Sequence, residues 1–128
     1  MDRTELTAYI GETYRADAEF PWSRYPNYAV FRHSGNKKWF AAILDVPRAK
    51  LSLGGEGTLD VVNLKCGPAM TGSLRLEPGF FPGYHMNKEN WITAALDGSV
   101  SDGKIRMLLD ISYDLTRPRP KKANRKLY

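Results

Sequence analysis

The chain has 128 residues, a single cysteine and a formal net charge of +5 at pH 7. That length suits one domain with an ordinary buried core, and one cysteine excludes a disulfide within the chain. The longest uninterrupted apolar run, Trp39 to Leu44, is far shorter than the roughly 20 residues that span a bilayer. Because the first residues also lack the basic-then-apolar profile of a secretory signal, we expect a soluble, cytoplasmic protein with no membrane partner.

Basic residues concentrate at the end of the chain. Residues 117–128 contain six of the nineteen basic side chains and no acidic one, so residues 1–116 carry thirteen basic against fourteen acidic groups. Pro118 and Pro120 interrupt this last stretch, which has few apolar residues. We therefore predict a single domain over residues 1–116 and a flexible basic tail over residues 117–128.

Helical spacing occurs at both ends of the predicted domain. Between about residues 2 and 15, the side chains of Leu6, Ile10 and Tyr14 recur every fourth residue, which predicts one apolar stripe on an amphipathic helix. Ser101 is typical of a helix N-cap, and Asp102 is favourably placed in the first turn. The inward face of this second helix is predicted to carry Ile105, Leu108, Leu109, Ser112 and Leu115.

The stretch between the helices has the period of two that is typical of strands. Segments 28–33 and 38–44 flank Ser34-Gly35-Asn36-Lys37, which predicts a hairpin because Gly and Asn tolerate positive φ. Further strands are predicted over 58–66, 84–86 and 91–96, with a loop over 47–57 and a short helical turn over 69–76. The pattern predicts an α+β fold: an antiparallel five-stranded sheet with the N- and C-terminal helices packed on one face and the other face free.

Alternation along the strands assigns side chains to the two faces. Asn63 and Lys65 should point away from the helices, and Cys66 should point toward them as a buried, inert thiol. Trp91 shares the open face by the same parity, and His85 joins it if its two neighbours are in the core. A single bulge would invert part of this assignment.

Four segments between about residues 20 and 115 resemble a known family. The first, Gly83–Trp91, brings an imidazole, an ammonium, two amides and an indole into nine positions. The others are Val62–Pro68, Leu96–Val100 and Asp110–Leu115. In these segments the chain closely resembles the MmcQ/YjbR family of small bacterial proteins. The resemblance implies a frataxin-like (CyaY-like) α+β fold and a DNA-binding role.

A nucleic-acid surface can also be argued from the residues themselves. Cationic side chains on a sheet face and hairpin could pair with phosphates while a base stacks on Trp91 or Trp39. No recognition helix is evident, because the segments that contain the two predicted terminal helices, residues 1–27 and 89–116, each have more acidic than basic side chains. We predict DNA binding with little sequence specificity through the open face, the hairpin and the tail. The candidate contacts are Arg32, Lys37, Lys65, His85, Asn87, Lys88, Trp91, Arg117, Arg119, Lys121 and Lys122.

Two other functions stay open. His85, Asn87 and Lys88 could form a pocket for a small anionic ligand, and the exposed aromatic residues could serve a protein-interaction adaptor. Alternatively, Trp91 packs under the loop at 80–81. No serine or cysteine has a recognised nucleophile setting, so the sequence argues against an enzyme.

The remaining reactive side chains predict no cofactor and no metal site. Two histidines and one cysteine cannot complete a four-ligand zinc site, and no carboxylate lies at ligand spacing. His33 lies beside the predicted hairpin turn and is interpreted as a solvated loop residue. A monomer is favoured.

Overall fold

The elements follow the predicted order in a computed structural model that describes residues 1–119. Lys121, Lys122 and most of the predicted tail lie outside the described residues. We number the elements in chain order: α1 Arg3–Tyr14, β1 Ala29–Arg32, β2 Trp39–Pro47, a 3-10 turn Arg48–Leu51, β3 Thr58–Lys65, α2 Pro68–Leu74, β4 Phe80–Pro82, β5 Trp91–Ala95 and α3 Asp102–Thr116. Within residues 1–119 no helix is both long and apolar enough to cross a bilayer.

The five strands form one antiparallel sheet in the order β1-β2-β3-β5-β4. This confirms the predicted α+β class and sheet. The position of the fourth strand was predicted wrongly: it is Phe80–Pro82, not residues 84–86. The chain turns at 83–91 instead, where Met86 N–H donates to Gly83 O at 3.3 Å, Trp91 N–H donates to Asn87 O at 3.0 Å, and His85 adopts a left-handed φ of 61°.

Both terminal helices pack on one face of the sheet, as predicted. Asp2 caps α1 through a capping box with Glu5, and Ser101 caps α3 by accepting from Lys104 N–H. The helix α1 contributes Leu6 and Ile10 to a core that also contains the inward side chains of the strands. The fully buried residues of α3 are Ile105, Leu108, Leu109 and Ser112.

The C-terminal end of α3 differs from the predicted inward face. Leu115 is 41% exposed, whereas Thr116 is only 3% exposed. Thr116 lies four residues after Ser112 and therefore continues the buried stripe. Its hydroxyl hydrogen-bonds His33, so the hairpin rather than the sheet covers this last turn.

The second face of the sheet is not free, which corrects the prediction. Asn63 and Thr93 point away from the helices, yet their side chains are at most 1% exposed. Loop residues outside the strands form an apolar layer over this face: Trp22, Tyr28, Leu51, Leu53 and Tyr84. Strand alternation assigns the face correctly, but it carries no information about a covering layer that comes from loops.

Candidate functional site

A cavity of about 300 Å³ lies in the covering layer of the second face. We call it the aromatic pocket. Its floor is the strand residues Ala42, Leu44 and Asn63, and its walls come from three separate segments of the chain. The wall residues are Trp22, Tyr25, Tyr28, Trp39, Tyr84, His85 and Met86.

The aromatic walls meet at right angles. The ring of Trp22 is perpendicular to Trp39, with centroids 5.4 Å apart and an interplanar angle of 86°, and to Tyr28, at 6.0 Å and 85°. Tyr25 stacks on Tyr28 at 4.7 Å. Edge-to-face pairs are a favoured aromatic geometry, so these contacts hold the rings in a fixed arrangement around the cavity.

A bulge in β2 places Trp39 in this wall. The register shifts between Phe31 and Arg32, and both Phe40 and Ala41 pack into the helix-side core. Trp39 is thereby returned to the second face, where it contacts Trp22. Simple alternation would have placed Trp39 toward the helices.

Two strand side chains, Asn63 and Thr93, anchor the Tyr84 loop to the sheet beneath the pocket. Asn63 Nδ2 donates to the Tyr84 carbonyl oxygen at 2.8 Å, and the Tyr84 N–H donates to Thr93 Oγ1 at 2.9 Å. The Thr93 hydroxyl donates in turn to Asn63 Oδ1. The three residues form a closed ring of hydrogen bonds, and buried polar groups that are fully paired in this way favour one conformation.

The three residues predicted to form an anion pocket make different contacts in the structure. His85 is exposed and lines the aromatic pocket, with its ring 4.0 Å from the Tyr84 ring. Asn87 Oδ1 accepts from the backbone N–H groups of Glu89 and Asn90, which stabilises the turn. Lys88 Nζ donates to the Gly83 carbonyl oxygen at 2.9 Å and lines a different depression.

Lys65, the last residue of β3, and Trp91, the first residue of β5, are register partners on the second face. Both are half-buried. Trp91 packs against Gly83 so closely that a Cβ atom on Gly83 would lie 2.9 Å from the Trp91 carbonyl oxygen and 3.0 Å from its Cβ. Neither residue lines the aromatic pocket.

A second candidate site lies where the β1–β2 hairpin meets the end of α3. Asn36 Nδ2 donates to the Thr116 carbonyl oxygen at 2.8 Å, and His33 Nε2 hydrogen-bonds Thr116 Oγ1 at 2.9 Å. Gly35 lies close to Pro118: a Cβ atom added to Gly35 would be 2.8 Å from Cγ of the proline ring. These contacts bring basic residues from two parts of the sequence to one end of the molecule. We call them the basic end: Arg32, Lys37, Lys38, Arg117 and Arg119.

The charges of the basic end are only partly neutralised. Arg32 Nε lies 3.3 Å from Glu19 Oε2, and Arg117 Nε lies 3.2 Å from Asp114 Oδ1. Lys37, Lys38 and Arg119 are exposed and form no ion pair within residues 1–119.

His33 is a buried structural residue, not the solvated loop residue that was predicted. It is 5% exposed and its ring packs against Tyr113 and Phe40, with centroids 4.3 and 5.2 Å away. Burial lowers the pKa of the imidazole, and a backbone hydrogen bond with Tyr113 opposes that effect. Cys66 is buried as predicted, and burial raises the pKa of its thiol.

Sequence reasoning missed the first wall of the pocket. Trp22, Tyr25 and Tyr28 lie in a stretch with little regular structure, and their aromatic side chains recur every third residue. Such density in a proline-containing loop was the available signal. It could not show which face the loop would cover.

The comparisons with known proteins agree on one family. The family model YjbR matches residues 3–115. An uncharacterised protein of Bacillus subtilis, YyaQ, is 40% identical over 117 residues, which cover 91% of this chain and 99% of that protein.

Solved structures share the fold. A crystal structure of a Pseudomonas syringae protein has a TM-score of 0.90 and 44% identity, covering 91% of this chain and 100% of that one. A crystal structure of a Deinococcus radiodurans protein with a DUF419 domain has a TM-score of 0.68 and 26% identity, covering 98% and 86%. The chain belongs to the YjbR family.

Proposed function

We propose that this protein binds nucleic acid, with little base specificity, through its basic end. The observation that carries the proposal is the docking of the hairpin on α3 by the Asn36–Thr116 and His33–Thr116 hydrogen bonds. It joins Lys37 and Lys38 to Arg117 and Arg119 in one region. The sequence continues from there with Lys121, Lys122, Arg125 and Lys126, so a strand of phosphates would meet a run of cations.

The expected contacts are with phosphates rather than base edges. Sequence is read in the major groove by an inserted helix or ribbon. Here α1 and α3 use their apolar faces for the core. The exposed face of α3 is acidic on balance, with three carboxylates against one exposed basic residue: Asp102, Asp110 and Asp114 against Arg106. Lysine and arginine contacts to phosphates give affinity that depends on salt and not on sequence.

A salt-dependent titration of single- and double-stranded oligonucleotides tests this proposal. Replacing Lys38 by Glu should weaken binding of both and reduce the log–log salt slope. The expected reduction is about 0.9 for each duplex phosphate that the variant no longer neutralises and about 0.7 for each such phosphate on a single strand. Lys50→Glu is the matched control, because Lys50 is exposed, forms no ion pair within residues 1–119 and lies in the 3-10 turn at the other end of β2. Equal effects of the two variants, or no salt-dependent binding by the full chain, would refute the proposal.

A further inference from the structure

We propose that the aromatic pocket binds a small organic cation that carries a quaternary ammonium group. This site is separate from the basic end and does not depend on nucleic-acid binding.

The shape suits a rounded group better than a flat one. A planar ring stacks best between parallel aromatic faces, whereas Trp22 is perpendicular to both Trp39 and Tyr28. Several aromatic rings around one small space give an alkylammonium group more than one π-face to contact. The volume of about 300 Å³ is at the small end of the range of about 300–1,000 Å³ for ligand pockets.

The charge of the lining favours a cation over an anion. None of the ten lining residues is Lys, Arg, Asp or Glu, so an anionic ligand would meet no countercharge there. A cation would instead be held by the π-faces of the aromatic walls, which attract positive charge without a carboxylate.

The polar floor argues against recognition of a nucleobase. Bases that leave a stack are read by hydrogen bonds to their edges as well as by stacking. In this pocket the Asn63 amide is engaged at both ends, with the Tyr84 carbonyl and with Thr93. A quaternary ammonium group has no N–H to donate and requires none of these groups.

Choline and its neutral isostere 3,3-dimethyl-1-butanol provide a matched test, because they differ mainly in the charge on one atom. The three tryptophans are Trp22, Trp39 and Trp91, so a Trp91→Leu protein reports only from the two that line the pocket. Choline at millimolar concentration should change its fluorescence saturably and raise Tm, since a ligand that binds the folded state stabilises it. The isostere should bind at least tenfold more weakly.

Two variants confirm the site. Trp22→Leu keeps an apolar wall without its π-system and should weaken choline about tenfold, while Trp22→Phe should retain most of the affinity. Circular dichroism checks that each variant folds. The proposal is overturned if the isostere binds as well as choline, if adenosine binds and choline does not, or if choline has no saturable effect on the Trp91→Leu protein.

The basic end and the pocket can fail independently. Choline binding should be unchanged by Arg119→Glu, which reverses an exposed charge of the basic end. A loss of choline binding in that variant, with its fold intact, would show that the two sites are not independent.

Discussion

At the scale of single residues, the buried polar groups of the second face determine where the Tyr84 loop lies. Asn63, Thr93 and the backbone of Tyr84 satisfy one another, and Asn63 and Thr93 are at most 1% exposed. An unpaired polar group there would cost more than the bond that it loses. The position of a pocket wall therefore depends on two strand residues that do not themselves look functional.

Replacement of Thr93 by Val tests this dependence. The change keeps the shape of the side chain but leaves Asn63 Oδ1 and the Tyr84 N–H without their partner, so we expect the free energy of unfolding to fall by about 1–3 kcal/mol. Urea denaturation measures it. Thr58→Val, at an exposed position of β3, is the control and should change stability by no more than about 0.5 kcal/mol. Similar losses in both variants would contradict the buried ring of hydrogen bonds.

His33 predicts a pH dependence of stability. Its pKa is lowered from 6.5 in the folded protein, so in the window below about pH 6.5 the unfolded chain binds more protons at this residue than the folded one. Stability should therefore fall as the pH falls from about 7.5 to about 5.5. Denaturation of His33→Gln should show a smaller dependence on pH than that of the parent protein. A stability that rises on acidification over this window would contradict the prediction.

At the scale of elements, a side chain of α3 hydrogen-bonds the backbone of the sheet at the β2 bulge. Ser112 is fully buried; its hydroxyl donates to the Phe40 carbonyl oxygen at 2.6 Å and accepts from the Lys65 N–H at 2.9 Å. The side chain of a helix thus bridges two strands at the point where their own pairing ends. The bulge that turns Trp39 into the pocket is tolerated because its backbone groups find this partner.

Ser112→Ala should accordingly be costly for so small a change. It removes one hydroxyl but leaves a buried carbonyl and a buried N–H unpaired, for which we expect a loss of about 1–3 kcal/mol in the free energy of unfolding. Ser73→Ala, at an exposed position of α2, is the matched control. A Tm for Ser112→Ala that is indistinguishable from that of the control would show that water or a shifted strand replaces the bridge.

The strand and helix residues were easier to predict from the sequence than the pocket. The cap Ser101 and the alternation along β3 follow from local chemistry, which acts within a few residues. Trp22 and Tyr84 reach the pocket through long-range packing of loops. Local periodicity does not encode such packing, and so the second face was predicted to be free.

At the scale of the whole molecule, positive charge and aromatic surface occupy different regions. Lys37 and Arg117 belong to the end where the hairpin meets α3, whereas the pocket lies on the second face and has no charged lining residue. Trp39 directly follows Lys38 and is the nearest covalent link between them. Charge and shape thus suit two different kinds of ligand on one small domain.

Two truncations measure how much of the phosphate binding depends on residues 120–128 and how much on residues 117–119. A chain that ends at Arg119 lacks four basic residues but retains the described basic end, and a chain that ends at Thr116 lacks all six. If phosphates contact the whole run, the log–log salt slope should fall in two steps, by about 0.9 for each duplex phosphate that is no longer neutralised. The first truncation should leave Tm unchanged because the Gly35–Pro118 contact is retained. Removal of residues 117–128 could instead leave the oligonucleotide affinity and the salt slope equal to those of the full chain. That result would show that this segment contacts no phosphate, and it would leave Lys37 and Lys38 to bind the oligonucleotide alone.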